Sequence, residues 1–382
     1  MKIGIDARWI FPEISGIGTY TQELLKNLVC LDTSNEYVLF FNDPETMERE
    51  RELIGLNHAP NFSSKLLTYG LFSPHGLVLM PGLLKRLRLD VFHSPNYMVP
   101  LLAFPRGRAA RPRCLVTIHD MIPLLFPELT PKALKTRLLP LFRRLMAEVG
   151  ARADLILTVS SSSRTDVIQQ LKIPPNRQDR VIVIPNGVAA EYKPSARKPR
   201  EIKTVLYVGR FDPYKNVPGM LETFARVRDL CPFEVRLKIV GPPDPRYPEA
   251  PRLADERGLN RWIDWAGYRS GPDLVREYQE ADVLLLQSKY EGFGLTVLEA
   301  MACGTPVVCS NRSSLPEVAG EAALLVNPDN TREAAAAVAR VLQDQALAAG
   351  LAEKGLQQAA KFTWTRTAAM TLKAYEHSLD LA

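Results

Sequence analysis

Residues 291–299 read Glu-Gly-Phe-Gly-Leu-Thr-Val-Leu-Glu, and residues 300–306 continue Ala-Met-Ala-Cys-Gly-Thr-Pro. The run before it, 281–287, is Ala-Asp-Val-Leu-Leu-Leu-Gln, the apolar pattern of a buried parallel strand. Residues 306–309 read as the next strand. The unit is therefore strand, glycine-broken loop, helix, strand. Its loop and first helical turn lie at the carboxyl end of a strand, where open α/β sheets bind ligands. Gly292 and Gly294 let backbone approach a ligand with no Cβ in the way. The amides of Leu295 and Thr296 head the helix as unpaired donors, and such donors suit phosphate. Glu291 and Glu299 flank this turn. Carboxylates do not recognise phosphate; they accept hydrogen bonds from sugar hydroxyls or stabilise positive charge at carbon. Two isolated glutamates at this spacing would be solvated side chains. Between both strands and both glycines they point to a ligand with a sugar and a phosphate.

At 382 residues the chain exceeds one typical core and fits two domains. It is 46% hydrophobic and 24% charged, the balance of a globular protein. The five cysteines, Cys30, Cys114, Cys231, Cys303 and Cys309, have no metal-site or redox spacing, and reduced thiols are expected. The opening Met1–Asp6 run reads as a strand, too short for a signal peptide, and no apolar run reaches membrane-spanning length. The net charge of +6 is uneven: residues 85–152 hold 13 basic and 4 acidic side chains. That field attracts an anionic substrate or an anionic membrane surface. Nucleic acid is not expected, because no zinc finger, recognition-helix or aromatic-basic pattern is present.

Along the first half, a strand at 3–7 leads through a loop, Pro12-Glu13-Ile14-Ser15-Gly16-Ile17-Gly18, into a helix at 19–30. This is again a phosphate-type turn, although tight packing alone also explains its glycines. Residues 37–41 read as a strand; 43–89 give no clear elements before a basic helix end at 85–88. Residues 90–93 and 114–118 read as strands, the second ending in His119-Asp120. A histidine at a strand's carboxyl edge is placed for ligand contact or for packing. Residues 131–148 have helical spacing, with Leu134, Leu138, Leu141, Phe142 and Leu145 apolar and Lys132, Lys135, Arg137, Arg143 and Arg144 basic. Docking on the sheet explains the apolar set; contact with an anionic membrane is the sharper reading. Strands at 154–159 and 181–184 bracket a helix at 164–171 that Ser160 to Ser163 precede as caps. Pro185-Asn186-Gly187-Val188 follows.

Proline and charge at 193–203 mark a linker. The pattern then restarts. A strand at 204–208 ends in Gly209-Arg210, and Lys215-Asn216 precedes a helix at 217–230. A strand at 235–240 ends at Gly241-Pro242-Pro243, and one at 263–266 ends at Gly267-Tyr268. A helix at 272–279 leads into the opening stretch; a small strand at 322–326 and helices at 333–347, 351–359 and from 364 complete the chain. The result is two α/β domains. If their carboxyl edges face each other, the site is the cleft between them. Arg210 and Lys215, on the same sheet edge as Glu291, would neutralise a diphosphate that gains charge as its bond to carbon breaks.

On these motifs the chain resembles the retaining, nucleotide-sugar-dependent glycosyltransferases of family 4. The resemblance rests on Gly16-Ile17-Gly18, His119-Asp120, Ser160, Pro185-Asn186-Gly187-Val188, Gly209-Arg210, Lys215-Asn216, Ala281-Asp282, Glu291-Gly292-Phe293-Gly294-Leu295, Leu298-Glu299-Ala300 and Gly304-Thr305-Pro306, and covers essentially the whole chain. It implies the B-type (GT-B) fold: α/β, with two Rossmann-like domains facing each other across a cleft. The amino-terminal domain, 1–192, would take the acceptor and be joined by a terminal helix at about 365–382. After a linker at 193–203, the domain at 204–364 would take the donor. Carried over, Arg210 and Lys215 resemble the pair that grips the donor diphosphate, and Glu299 the acid on the ribose hydroxyls. Glu291 resembles the acid near the transferred sugar, whose hydroxyls the backbone of Gly292, Phe293 and Gly294 reads. Gly16 and Gly18 resemble the loop closing on the phosphates, and His119 the residue contacting the donor sugar. Gly241 and Tyr268 match the region around the base. Thr296, where many relatives have proline, and Gln287-Ser288, where many have Pro-Ser, are departures beside the phosphate turn.

The activity so implied is transfer of a hexose, with retention, to a glycan or lipid-linked hydroxyl in surface polysaccharide assembly. Gly-Ile-Gly-Thr-Tyr and His-Asp-Met-Ile-Pro lean towards mannose from GDP-mannose. The nucleotide sugar is a co-substrate; no cofactor is expected, and without an Asp-x-Asp motif in the expected setting no divalent metal is expected to be required. The catalytic set would be Glu291, His119, Arg210 and Lys215. A cytoplasmic location is expected, with peripheral contact at the inner face of the membrane as a further expectation. A glycan phosphorylase or sugar-nucleotide epimerase of the same architecture, or a non-catalytic subunit of an assembly complex, are the alternatives.

Overall fold

The computed structural model describes residues 1–11, 16–106, 111–196, 200–242 and 244–381. Residues Pro12 to Ser15, the Arg197-Lys198-Pro199 part of the linker, and Pro243 lie outside them. The chain forms two compact units: Met1–Leu125, Leu138–Gly187 and Trp364–Ala382 in the first, Phe126–Arg137 and Val188–Thr363 in the second. Residues 126–137, assigned from the sequence to the amino-terminal domain, group with the second unit.

The first unit is built on strands β1 (Lys2–Ile5), β2 (Glu36–Phe41), β3 (Phe62–Leu66), β4 (Val91–Ser94), β5 (Arg113–Ile118), β6 (Leu155–Thr158) and β7 (Val181–Val183). They pair in parallel in the order β3-β2-β1-β4-β5-β6-β7. Alternation along β5 sorts its faces. Cys114, Val116 and Ile118 join a core with Met80, Phe142, Met146 and Val149, which come from the helices Pro74–Leu87 and Leu139–Arg152. Thr117 points to the opposite face, where its hydroxyl meets Tyr20 at 3.0 Å and His93 Nε2 at 2.8 Å. His93 Nδ1 lies 2.8 Å from the Tyr375 hydroxyl on the last helix, Trp364–Asp380. The same helix donates from Thr367 Oγ1 to the Pro185 carbonyl. A buried polar chain thus ties the final helix to the centre of this sheet.

The second unit carries β8 (Lys203–Val208), β9 (Val235–Val240), β10 (Ile263–Gly267), β11 (Val283–Leu286), β12 (Val307–Ser310) and β13 (Ala323–Val326). Their order is β10-β9-β8-β11-β12-β13, all parallel. Both sheets follow the doubly wound Rossmann pattern, reversing at a central switch point. In the second unit that point lies between β8 and β11.

Three expectations need correction. The expected helix over 131–148 is a single turn, Leu134–Arg137, followed by the helix Leu139–Arg152. Pro140 is the reason: its ring would clash with the carbonyl four residues back, but it is tolerated in a first turn. The apolar set divides accordingly. Phe142 is buried, whereas Leu134, Leu138 and Leu141 are exposed. The helix expected at 19–30 begins earlier, at Gly16, so Gly16 and Gly18 sit in its first turn rather than in a loop. Residues 43–89 contain the helix Pro44–Ile54 and the edge strand β3, whose Phe-Ser-Ser-Lys-Leu sequence is too polar to stand out.

Candidate active site

At the switch point of the second sheet, β8 is followed by Gly209-Arg210 and β11 by Gln287-Ser288. The chain after β8 makes a short turn, Pro213–Lys215, and passes through Asn216 in the left-handed conformation into the helix Val217–Leu230. Asn216 is held there by donating from Nδ2 to the Pro328 carbonyl at 2.8 Å. This aims Lys215 at the loop after β11. Its Nζ donates to both carboxylate oxygens of Glu291, at 2.7 and 2.9 Å. Both side chains are largely buried, so the pair is screened far less than a surface ion pair.

The loop 290–294 is fastened from below by serines after β12. Ser314 Oγ donates to the carbonyls of Glu291 and Phe293, at 2.9 and 2.7 Å, while the Glu291 amide donates to Ser313 Oγ at 2.8 Å. Gly294 precedes the helix Leu295–Ala302 with φ +112° and no side-chain cap, and a Cβ there would lie 2.6 Å from Leu315 Cδ2. Leu295 and Thr296 therefore head the helix with amides that no side chain caps. Phe293 is buried edge-on against Phe362, so only its backbone is available to a ligand.

Arg210 extends outward, paired at 2.8 Å through Nε with the buried carboxylate of Asp212, and its guanidinium stays mostly exposed. Its carbonyl accepts from the buried Tyr207 hydroxyl at 2.6 Å. Gly241, after β9, has φ +143°, and a Cβ at this position would collide with the Gly209 carbonyl oxygen. The loops after β8 and β9 are thereby in backbone contact. Tyr268, after β10, is half-exposed at the same edge.

Glu299 is not the exposed helix residue its position suggests. Its carboxylate accepts from Tyr278 at 2.6 Å and is also bonded by Tyr192. Burial pushes its pKa above the ordinary glutamate value, against the pull of both tyrosine hydroxyls. Nearby, both amide atoms of Gln287 and the Ser288 hydroxyl are buried without a partner among the described residues. Lys215, Glu291, the loop 292–296 and Arg210 thus lie at one edge of the second sheet. The partners that hold them (Asp212, Tyr207, Ser313 and Ser314) carry no motif and were not foreseen.

Gly16, Gly18 and His119 belong to the first unit. His119 Nε2 is 2.8 Å from the Pro95 carbonyl, an acceptor, so Nε2 carries the proton and Nδ1 the lone pair. Burial lowers the His119 pKa and favours this neutral form. The edge of the Tyr20 ring fixes the imidazole at a centroid distance of 4.8 Å, and Ser163 Oγ donates to the His119 carbonyl.

A site of this construction can bind a sugar diphosphate: cations and amides for the phosphates, carboxylates and backbone carbonyls for hydroxyls. Comparison with known proteins agrees. Residues 188–358 match the model described as Glycosyl transferases group 1, and residues 14–192 match Glycosyltransferase Family 4. O-antigen chain mannosyltransferase B of Escherichia coli is 30% identical over 98% of this chain and 100% of its own length. Among solved structures, sucrose-phosphate synthase of Thermosynechococcus elongatus superposes with a TM-score of 0.77 at 21% identity, covering 98% of each chain. Anabaena HepE, solved in complex with UDP-glucose, has a TM-score of 0.75 at 19% identity, over 99% of this chain and 100% of that one.

Proposed function

The chain belongs to the family 4 glycosyltransferases, and from that premise we propose that it moves a mannosyl residue from GDP-mannose, with retention, to a hydroxyl of a glycan or lipid-linked acceptor in surface polysaccharide assembly. The observation that carries the reading is the Lys215–Glu291 pair set beside the uncapped start of the helix Leu295–Ala302. A departing nucleoside diphosphate gains negative charge as the glycosidic bond breaks. Lys215 and Arg210 neutralise it, and the Leu295 and Thr296 amides donate to it. Glu291 accepts from the hydroxyls of the transferred sugar, while Glu299 accepts from the ribose. His119 Nδ1 offers the donor sugar an acceptor of its own. The acceptor hydroxyl is deprotonated by the leaving phosphate, on the face from which that phosphate departs. The choice of mannose follows the likeness to the O-antigen mannosyltransferase; the likeness to HepE bears on the fold alone.

The decisive experiment measures nucleoside diphosphate release by the purified chain over a panel of nucleotide sugars, with and without EDTA. Release from GDP-mannose alone, retained in EDTA, is the expected result. Release from UDP-glucose alone would overturn the mannose assignment, and phosphate-dependent release of sugar phosphate would favour a phosphorylase.

A second reading concerns location. On the helix Leu139–Arg152 and its cap, Leu138 and Leu141 are exposed beside exposed Arg143 and Arg144. Apolar side chains among cations suit the surface of an anionic membrane, and we place the enzyme at the inner face of the cytoplasmic membrane. Among the described residues no helix is long and apolar enough to cross a membrane. Co-sedimentation with anionic vesicles at low salt, reduced by Leu141→Glu, tests this; no sedimentation at low salt would sink it.

A further inference from the structure

Tyr192 stands directly before the linker and groups with the second unit. Two backbone bonds fix the chain around it. Its amide donates to the Ala189 carbonyl at 3.1 Å, and the Lys193 carbonyl accepts from Gln279 Nε2 at 2.8 Å. Gln279 and Tyr278 belong to the helix Gly271–Glu280. The Tyr192 ring meets the fully buried Tyr278 ring edge-on, at a centroid distance of 5.9 Å. Both hydroxyls converge on the Glu299 carboxylate.

Packing accounts for the two rings but not for the Tyr192 hydroxyl, because a phenylalanine would make the same ring contact. Burial and the Glu299 charge raise the pKa of both tyrosines, so each hydroxyl keeps its proton and donates. A carboxylate offers about four lone-pair sites, and with two tyrosine donors about two remain for a ligand. Glu299 keeps part of its surface exposed, and two adjacent hydroxyls match what remains. The donors come from two separate elements, which fixes the plane of an otherwise rotatable carboxylate. They also keep it charged. Burial raises the Glu299 pKa, the Tyr278 and Tyr192 hydroxyls lower it, and the Glu191 charge adds a smaller upward push. Cys303 is the other titratable group beside the tyrosines among the described residues.

We propose that Tyr192 is a positioning residue for the nucleotide ribose: its hydroxyl, with that of Tyr278, holds the Glu299 carboxylate so that the remaining lone pairs accept from the 2′- and 3′-hydroxyls. The assignment rests on the donor reading above and adds to it, because ribose recognition then depends on a residue next to the linker.

Tyr192→Phe keeps the ring and removes only the hydroxyl, so it should fold normally. Binding of GDP and 2′-deoxy-GDP to the full chain is measured by calorimetry from pH 8 to pH 5, with UDP and 2′-deoxy-UDP in parallel. At pH 8, Tyr192→Phe should weaken the ribonucleotide roughly tenfold and the deoxynucleotide far less, so the preference for ribose narrows. Removing a donor to the charged form raises the Glu299 pKa, so the acid limb of binding should move to higher pH. A packing role alone would leave the ribose preference and the acid limb in place, and that result would overturn the proposal. Glutamate labelled with ¹³C at Cδ gives a readout that needs no nucleotide. The resonance lost in Glu299→Gln identifies Glu299, and its titration midpoint should be higher in Tyr192→Phe than in the wild-type chain. Equal midpoints would likewise overturn the proposal. Binding of neither nucleotide pair by the wild-type chain would refute the donor reading, while the Glu299 midpoints still report whether Tyr192 holds the carboxylate.

Discussion

His93 offers a quantitative test of the polar chain in the first unit. It is fully buried between Tyr375 and Thr117, and desolvation, aided by His119 nearby, depresses its pKa from 6.5 to about 3. A histidine depressed in the folded state makes stability pH-dependent in one direction. Above pH 6.5 both folded and unfolded chains hold it neutral. As pH falls from 6.5 towards 3, the unfolded chain takes up a proton that the folded chain refuses, and stability is lost. Between pH 7 and pH 5 the linkage amounts to about 2 kcal/mol, or roughly thirtyfold in an opening equilibrium. Hydrogen exchange of the β4 and β5 amides reads that equilibrium without requiring both units to unfold together. After correction for intrinsic rates, wild-type protection should fall about thirtyfold more than that of His93→Gln, in which the titrating group is gone. His119 contributes to both chains and cancels. Equal losses in the two proteins would show that His93 is not held neutral by burial, and the wiring of the last helix to the sheet would have to be redrawn.

Other consequences concern the second unit. Lys215→Met should lower nucleoside diphosphate release by roughly a hundredfold in steady-state kinetics; adding Glu291→Gln should recover thermal stability but not activity, because it removes the unpaired buried carboxylate. Because burial raises the Glu299 pKa, donor binding should fail on acidification while ordinary glutamates are still ionised: the acid limb of the donor KM should lie above pH 4.5 and be absent in Glu299→Gln. Gly294→Ala combines a left-handed φ with a contact on Leu315, so it should cost about 1–3 kcal/mol of local stability and loosen the loop, seen as faster exchange of the Leu295 and Thr296 amides.

Much of this was legible in the sequence where a residue's role is set by its immediate neighbours. Gly292 and Gly294 between two apolar runs announce a strand-to-helix turn, and Lys215-Asn216 before a helical pattern announces a strand-end cation. The repeated strand-and-helix order gives two Rossmann-like units. Roles set by distant neighbours were not readable. Glu299 owes its environment to Tyr278 and Tyr192, and Glu291 to Ser313; nothing local marks these partners. Strand β3 was missed because an edge strand exposes one face and half its pattern is polar. The break before Pro140 was readable from proline chemistry, but an apolar period running through it masked the interruption.

The position of the last helix has a consequence for synthesis. Tyr375 completes the hydrogen bonds of His93, and Thr367 those of Pro185, yet both emerge only after the whole second unit has been translated. At about 5–20 residues per second, the first unit waits roughly ten to forty seconds on the ribosome with the part of its sheet that the last helix covers still bare and His93 without its Tyr375 partner. During that interval the nascent chain exposes apolar surface that only its own tail can cover, which makes this stretch of translation the point at which a chaperone has the most to protect.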